Sequence, residues 1–115
     1  MHRLSMYICS MQSELIKGTL SVLILKLLKE HKKMYGYQIT QMLKEQSNGE
    51  LMVKEGSLYP ALFKLKDDEL VETEEEMIGK RVRRYYRLTP KGEIETQRRI
   101  TEIHSFISLL QTLFK

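Results

Sequence analysis

Five cationic side chains fall within residues 80–87, and no acidic residue interrupts them. Ammonium and guanidinium groups at this density suit the neutralisation of phosphates on a polyanion, and the interleaved Tyr85 and Tyr86 suit a nucleic-acid backbone or minor groove. The competing interpretation is ion pairing with the glutamates of residues 72–76. We expect both uses, with Arg87 in a structural pair and Lys80, Arg81 and Arg83 at phosphates. The five cations are Lys80, Arg81, Arg83, Arg84 and Arg87.

A second candidate site is the segment GSLYPALFKL, residues 56–65. Its three leucines recur at the spacing of one helical face, and the opposite face carries aromatic, polar and basic side chains. Gly56 and Ser57 supply the turn and the N-cap, which places Pro60 in the first turn, where its missing N–H costs little. We therefore predict a short helix that presents a polar face.

Three side chains of this segment could contact DNA. Lys64 can reach a guanine edge or a phosphate, and the hydroxyl of Tyr59 can bond a phosphate. Ser57, at the helix N-terminus, can meet a phosphate there as well. The alternatives are packing of Tyr59 against Phe63 or beneath the hairpin, and an ordinary solvated Lys64.

Two helical patterns precede this segment. Residues 13–30 are apolar around almost the whole circumference, so this helix must be covered on both sides. We expect a second subunit to cover one side, and the alternative is a central helix wrapped by its own domain. After a turn at residues 35–37, helical spacing resumes over 37–46 and ends at Gly49 in a left-handed conformation. Tyr37 and Gln38 begin this helix, at the position where helix-turn-helix proteins often contact the DNA backbone, so we expect them to do so. For Tyr37 the alternative is packing in the core.

The apolar period changes from 3.6 to 2 after residue 70. Alternation over residues 71–77 and 82–88, around a turn that contains Gly79, predicts a β-hairpin. Thr89 and Pro90 then form the N-cap and first position of a last helix. Its apolar residues recur three and four positions apart, like a short coiled-coil seam. We expect dimer contacts from the first and last helices through Leu20, Ile24, Ile103, Ile107, Leu110 and Phe114.

Length and composition limit the class of protein. The 115 residues suffice for one domain, and 42% hydrophobic with 30% charged residues are typical of a globular chain. The net charge of +4 is a mild bias towards polyanions. One cysteine, Cys9, fits a reducing cytoplasm, and no apolar run approaches the roughly 20 residues of a membrane span. The three histidines lack metal-ligand spacing, and the sequence matches neither a phosphate-binding glycine loop nor a nucleophile elbow. We therefore expect no metal, no cofactor and no enzymatic activity.

Four blocks carry a resemblance to a known family. They are LIKGTLSVLILKLL (15–28), YGYQI (35–39), EGSLYPALFKL (55–65) and RRYYRLTPKG (83–92). In this order and at these distances they resemble the PadR family of transcriptional regulators, in particular its short members with a single C-terminal dimerisation helix. Val82 stands where family members often carry proline, and the leader up to residue 12 has no expected counterpart.

The resemblance implies a mostly α fold with a small β-hairpin, a winged helix-turn-helix plus a C-terminal dimerisation helix. Residues 1–12 would be a leader extension, 13–89 the DNA-binding domain and 90–115 the dimerisation helix. It also implies a homodimeric repressor of double-stranded DNA whose third helix enters the major groove. The resemblance implies, too, that a phenolic or drug-like effector often binds near the dimer interface. We expect such a ligand between the first and last helices, near Met11, Phe106 and Phe114.

Two functions remain open at this point. The leading one is a sequence-specific repressor on a pseudo-palindromic operator. The rival is a dimeric winged-helix adaptor that binds proteins and no DNA, because the fold alone decides neither. An adaptor does not need a cationic wing beside a helix that exposes a lysine, so the charge pattern favours the repressor.

Overall fold

The computed structural model describes residues 17–115, and the expected leader and the first residues of the first helix lie outside this range. Four helices and a small antiparallel sheet alternate along the chain, which confirms the predicted mostly α fold with a β-hairpin. The elements are α1 (Lys17–His31), β1 (Lys33–Tyr35), α2 (Gly36–Gln46), α3 (Glu55–Asp67), β2 (Val71–Ile78), β3 (Arg81–Leu88) and α4 (Pro90–Leu113).

Helix α1 runs through the middle of the apolar core. Leu25, Leu27 and Leu28 are fully buried there against leucines of α3 and the inner side of the sheet. Leu20 and Ile24, which we expected at a dimer interface, are 4% and 0% exposed in the single chain. Both side chains are thus already buried within their own chain and leave little surface for a partner.

The sheet has three strands in the order β1-β3-β2, all antiparallel. The first strand replaces the turn that we expected at residues 35–37: Tyr35 ends β1 and Gly36 begins α2. A strand of three residues is too short to show a period of two, and its pairing partner lies some fifty residues further along the chain. Gly49 has the expected left-handed backbone, with φ of 83°.

The hairpin matches its prediction. Strands β2 and β3 pair from Val71 with Leu88 to Ile78 with Arg81, so Gly79 and Lys80 form a two-residue turn. Gly79 has φ of 64°, and a positive φ at the first central position favours glycine in such turns. The buried hairpin residues, Val71 and Tyr86, lie in the half away from the turn, and the largely exposed half that carries the turn forms the wing.

Helix α3 begins three residues earlier than its sequence suggested. Lys54 is the N-cap, and its carbonyl accepts hydrogen bonds from the backbone N–H groups of Ser57 and Leu58 at 2.9 Å each. Ser57 is therefore inside the first turn and is not the cap. Pro60 consequently lies in the second turn. Because it has no N–H, the exposed carbonyl four residues earlier lacks its helical partner and is left to solvent.

Helix α4 starts at the predicted cap. The hydroxyl of Thr89 accepts a hydrogen bond from the backbone N–H of Gly92 at 2.9 Å, and Pro90 follows the cap. Gly92 is buried directly against the carbonyl group of Leu70, and the buried hydroxyl of Thr96 donates to the Gly92 carbonyl at 2.6 Å. Small residues thus bring α4 close to the rest of the domain.

The face of α4 that begins with Gly92 and Thr96 continues as apolar side chains past the core. Its 24 residues extend about 36 Å, and their second half is largely uncovered. Ile103 and Leu110 are half-buried, whereas Ile107 and Phe114 are exposed on the same face. The end of α4 therefore offers an apolar stripe that no other part of residues 17–115 covers.

Candidate nucleic-acid interface

The outward face of α3 carries the residues that its sequence placed there. The Lys64 side chain is 79% exposed and lies 3.7 Å from a carboxylate oxygen of Asp68, one turn further on. An exposed pair of this kind is weak, so the lysine can leave it for another anion. Phe63 is 72% exposed, and Ser57 is exposed near the N-terminus of the helix.

Tyr59 joins α3 to α2. A Cβ atom added to Gly36 would lie 2.7 Å from the Tyr59 hydroxyl oxygen, so the ring rests directly on the backbone where α2 begins. This contact with Gly36 was not anticipated from the sequence, which suggested packing against Phe63 or beneath the hairpin. Its side chain remains 45% exposed and can still be reached by a ligand.

The start of α2 is also accessible. Tyr37 is exposed and does not belong to the core. The side-chain oxygen of Gln38 accepts a hydrogen bond from the backbone N–H of Tyr35 at 3.1 Å. Gln38 therefore caps its own helix, and its amide nitrogen remains available to other acceptors.

The outer face of the sheet holds a network of charges around Tyr85. The ammonium of Lys33 lies 4.7 Å from the centre of the Tyr85 ring and donates to Glu74 at 2.8 Å and to Glu76 at 2.6 Å. The hydrogen bond to Glu74, followed by that to Glu76, raises the pKa of Lys33. The same bond from Lys33 lowers the pKa of Glu74 below its usual range. Both shifts favour the charged forms of Lys33 and Glu74.

Three of the five wing cations are held by their own chain. Arg87 donates to Glu72 at 2.9 Å and to Glu74 at 3.3 Å, as expected for a structural pair. Arg84 lies 3.4 Å from a carboxylate oxygen of Glu75. Arg83, which we assigned to DNA, stacks on a tyrosine of β1.

The stacked Arg83 is half-buried, and its guanidinium carbon lies 4.2 Å from the centre of the Tyr35 ring. The side chain of Tyr85 is the largest influence that raises the pKa of Arg83. The two tyrosine rings meet edge to face at 5.5 Å. The structure therefore gives Arg83 a role in attaching the wing to β1, which a DNA contact would have to share.

Lys80 and Arg81, at the wing tip, differ from the other cations. Both side chains are exposed, and neither has an ion pair within residues 17–115. Met77 and Val82 pair across the hairpin beside them and are exposed too. The tip thus combines two uncompensated positive charges with apolar side chains.

Sequence reasoning missed the contributions of Lys33 and Tyr35, because their strand was not predicted. It placed Phe63 on the outer face of α3 but assigned it no contact. Over the described part of the chain, no group of three His, Cys, Asp or Glu side chains could hold a metal ion. Nor does any helix there have the length and apolar character needed to cross a membrane.

Helices α1 to α3 followed by a two-stranded wing define a winged helix-turn-helix protein. Residues 24–98 match the model of the transcriptional regulator PadR-like family. This match covers more than half of the chain, and the protein belongs to that family. The predicted family is therefore confirmed.

Solved structures agree with this assignment. A PadR family transcriptional regulator from Eggerthella lenta is 26% identical, with a TM-score of 0.80 over 100% of this chain and 98% of its own. A PadR-like transcription factor from Bacteroides fragilis is 34% identical, with a TM-score of 0.72 over 90% and 98%. PadR from Bacillus subtilis, solved in complex with operator DNA, is 29% identical, with a TM-score of 0.64 over 70% of this chain and 46% of its own.

Proposed function

We propose that this regulator is a homodimeric repressor that binds a specific DNA sequence. Helix α3 enters the major groove, where Lys64 contacts bases, and the wing tip binds phosphates through Lys80 and Arg81. The observation that carries the proposal is the pair of uncompensated wing-tip cations on a winged helix whose α3 exposes its polar face. The operator complex of the Bacillus subtilis relative supports DNA as the partner.

The uncovered stripe of α4 supports the homodimer. Residues 90–115 act as the dimerisation helix of the domain formed by residues up to 89. Ile103, Ile107 and Leu110 of one copy pack on a second copy, and Phe114 extends the contact. A symmetric dimer reads a pseudo-palindrome whose half-sites lie about one helical turn apart.

The proposal includes a small-molecule effector at the dimer interface. Phe106 and Phe114 are exposed apolar rings on α4, and a flat phenolic or drug-like ligand between α1 and α4 of the dimer would contact them. Met11, which we expected in the same site, lies outside the described residues. Binding of the ligand there releases the DNA. Chemical-shift mapping that places a releasing ligand on the wing would contradict this site.

The wing and α3 divide the work of binding. Residues 54–70 contain three lysines and four acidic residues, whereas residues 80–87 contain five cations and no acid. Affinity for the DNA backbone therefore comes mainly from the wing, and base discrimination from α3. We expect the double variant Lys80→Ala, Arg81→Ala to weaken operator and random DNA about equally. Its slope of log K against log salt should fall by about 0.9 for each phosphate that is no longer neutralised.

Variants of α3 should behave differently. Lys64→Ala is expected to reduce the preference for operator over random DNA by about 1 to 3 kcal/mol where a base edge is contacted, and Tyr59→Phe to reduce it less. Both DNAs are titrated at several salt concentrations, with an operator selected from a random duplex library. Arg84→Ala with Arg87→Ala is the matched control, since it removes the same charge from cations already paired with β2. A normal salt slope in the wing variant, or an intact operator preference in Lys64→Ala, would refute this division.

A further inference from the structure

Phe63 is the large apolar group on the face of α3 that we propose to read bases. Its side chain is 72% exposed and does not belong to the apolar core. Within residues 17–115, its ring stacks on no other aromatic ring. Single exposed apolar residues are common on protein surfaces, so exposure alone means little. The position of Phe63 on α3 makes it informative.

On the N-terminal side of Phe63, the residues of the same helix face have short side chains or none. Pro60 lies one turn back on the same face, and Gly56 lies two turns back. A Cβ added to Gly56 would meet nothing within 4 Å, so the backbone there is bare. A helical side chain leans over the turn that precedes it, which directs Phe63 towards this bare surface. No long polar side chain at these two positions would hold base edges away from the ring.

The chemistry of the major groove limits what a phenyl ring can recognise there. Adenine, guanine and cytosine present hydrogen-bond donors and acceptors, which a phenyl group cannot satisfy. Thymine adds a C5-methyl group, which is the apolar feature on the floor of this groove. A phenylalanine exposed beside Lys64 therefore favours thymine at its own position, while the lysine can contact a neighbouring guanine or phosphate.

We infer that Phe63 contacts the C5-methyl group of a thymine in each half-site and is a specificity-determining residue. This inference rests on the proposed DNA-binding function and deepens it. In a symmetric dimer, the two Phe63 side chains select two thymines at equivalent positions of the pseudo-palindrome. Removing the methyl group from the correct thymine should then have the same effect as removing the ring.

Deoxyuridine provides the test, because it keeps the hydrogen-bonding groups of thymine and lacks only the methyl group. Each thymine of the selected operator is replaced in turn, symmetrically in both half-sites, and the Kd of the full-length protein is measured. At one symmetric pair of thymines, we expect the affinity of wild type to fall by about threefold to tenfold for each methyl group that is removed. Phe63→Ala should bind the unmodified operator more weakly by a similar factor and lose nothing further at that pair.

Two variants serve as controls. Phe63→Leu keeps an apolar side chain and should retain part of the preference for thymine over deoxyuridine. Lys64→Ala should bind the operator more weakly but keep the full preference for thymine over deoxyuridine, since Lys64 contacts a different group of the DNA. Because Phe63 is largely exposed, thermal melting should show all three variants folded as in wild type.

The outcomes separate the two claims. If wild type shows no preference for any duplex, the proposed function fails, and the inference fails with it. If wild type binds an operator but tolerates deoxyuridine at every thymine, the function stands and the role of Phe63 is overturned. Equal sensitivity to deoxyuridine in wild type and Phe63→Ala would also overturn it.

Discussion

Gly92→Ala is expected to lower the free energy of unfolding by about 3 kcal/mol, at the upper end of the usual cost of overpacking. The new Cβ would lie 1.9 Å from the carbonyl oxygen of Leu70 and 2.9 Å from its carbonyl carbon. These are backbone atoms and cannot swing aside like the end of a flexible side chain. The same Leu70 oxygen accepts the backbone N–H of Thr89 at 3.1 Å. Any shift that relieves the collision therefore disturbs the start of α4.

Urea unfolding at neutral pH measures this effect. Gly18→Ala is the matched control, because Gly18 is exposed in α1 and an added Cβ there would meet no atom of residues 17–115 within 4 Å. Alanine is the better helix former, so this control should be neutral or more stable by up to about 1 kcal/mol. A Gly92→Ala protein within about 0.5 kcal/mol of wild type would show that α4 does not need this close approach.

Ile107→Asp is expected to convert the proposed dimer to monomer and to weaken operator binding by about 10²- to 10⁴-fold. Ile107 is 44% exposed in the single chain, on the apolar face that we assign to the partner copy. In a symmetric interface one substitution introduces two carboxylates, and burying an unpaired charge is costly. A monomer can engage only one half-site at a time, so it forfeits the gain from a linked second half-site.

Sedimentation at micromolar concentration and operator titration measure both effects. Ser105→Asp is the control: it adds the same charge to the same helix, at an exposed position on the opposite side from Ile107. This control should remain dimeric and bind normally. A wild-type protein that sediments as a stable monomer, or an Ile107→Asp protein that stays dimeric, would contradict the assigned interface.

Local signals in the sequence predicted those elements whose cause is local. Thr89 and Pro90 form a cap whose hydrogen bond closes within three residues, and the prediction there is confirmed. The hairpin was equally predictable, because alternation over two segments and Gly79 between them define its register. The family resemblance extended these local signals to the order of the whole fold.

Contacts between distant segments could not be predicted in the same way. Strand β1 exists because it pairs with β3, and its three residues have no pattern of their own. The burial of Ile24 depends on how α1 is surrounded, which apolar periodicity alone does not determine. Helix α3 starts at residue 55 because Lys54, with an extended backbone, is its N-cap. Lysine is not a typical capping residue, so no signal in the sequence marks this start.

The candidate site shows the same division. The outward position of Lys64 follows from the leucine spacing of α3, and Lys80 and Arg81 are accessible because they lie at the turn. Arg83 looked equivalent to them in the sequence. Its stacking on Tyr35 depends on the unpredicted strand, and this contact separates it from the two cations at the tip.

The affinity of wild-type protein for two duplexes tests the central claim most directly. One duplex carries the sequence selected from a random library, and the other has the same composition in scrambled order. At physiological salt we expect the selected duplex, a pseudo-palindrome, to bind at least about 10³-fold more tightly. Equal affinity for the two, or no binding to either by a folded dimer, would contradict a sequence-specific regulator and favour a winged-helix adaptor for proteins.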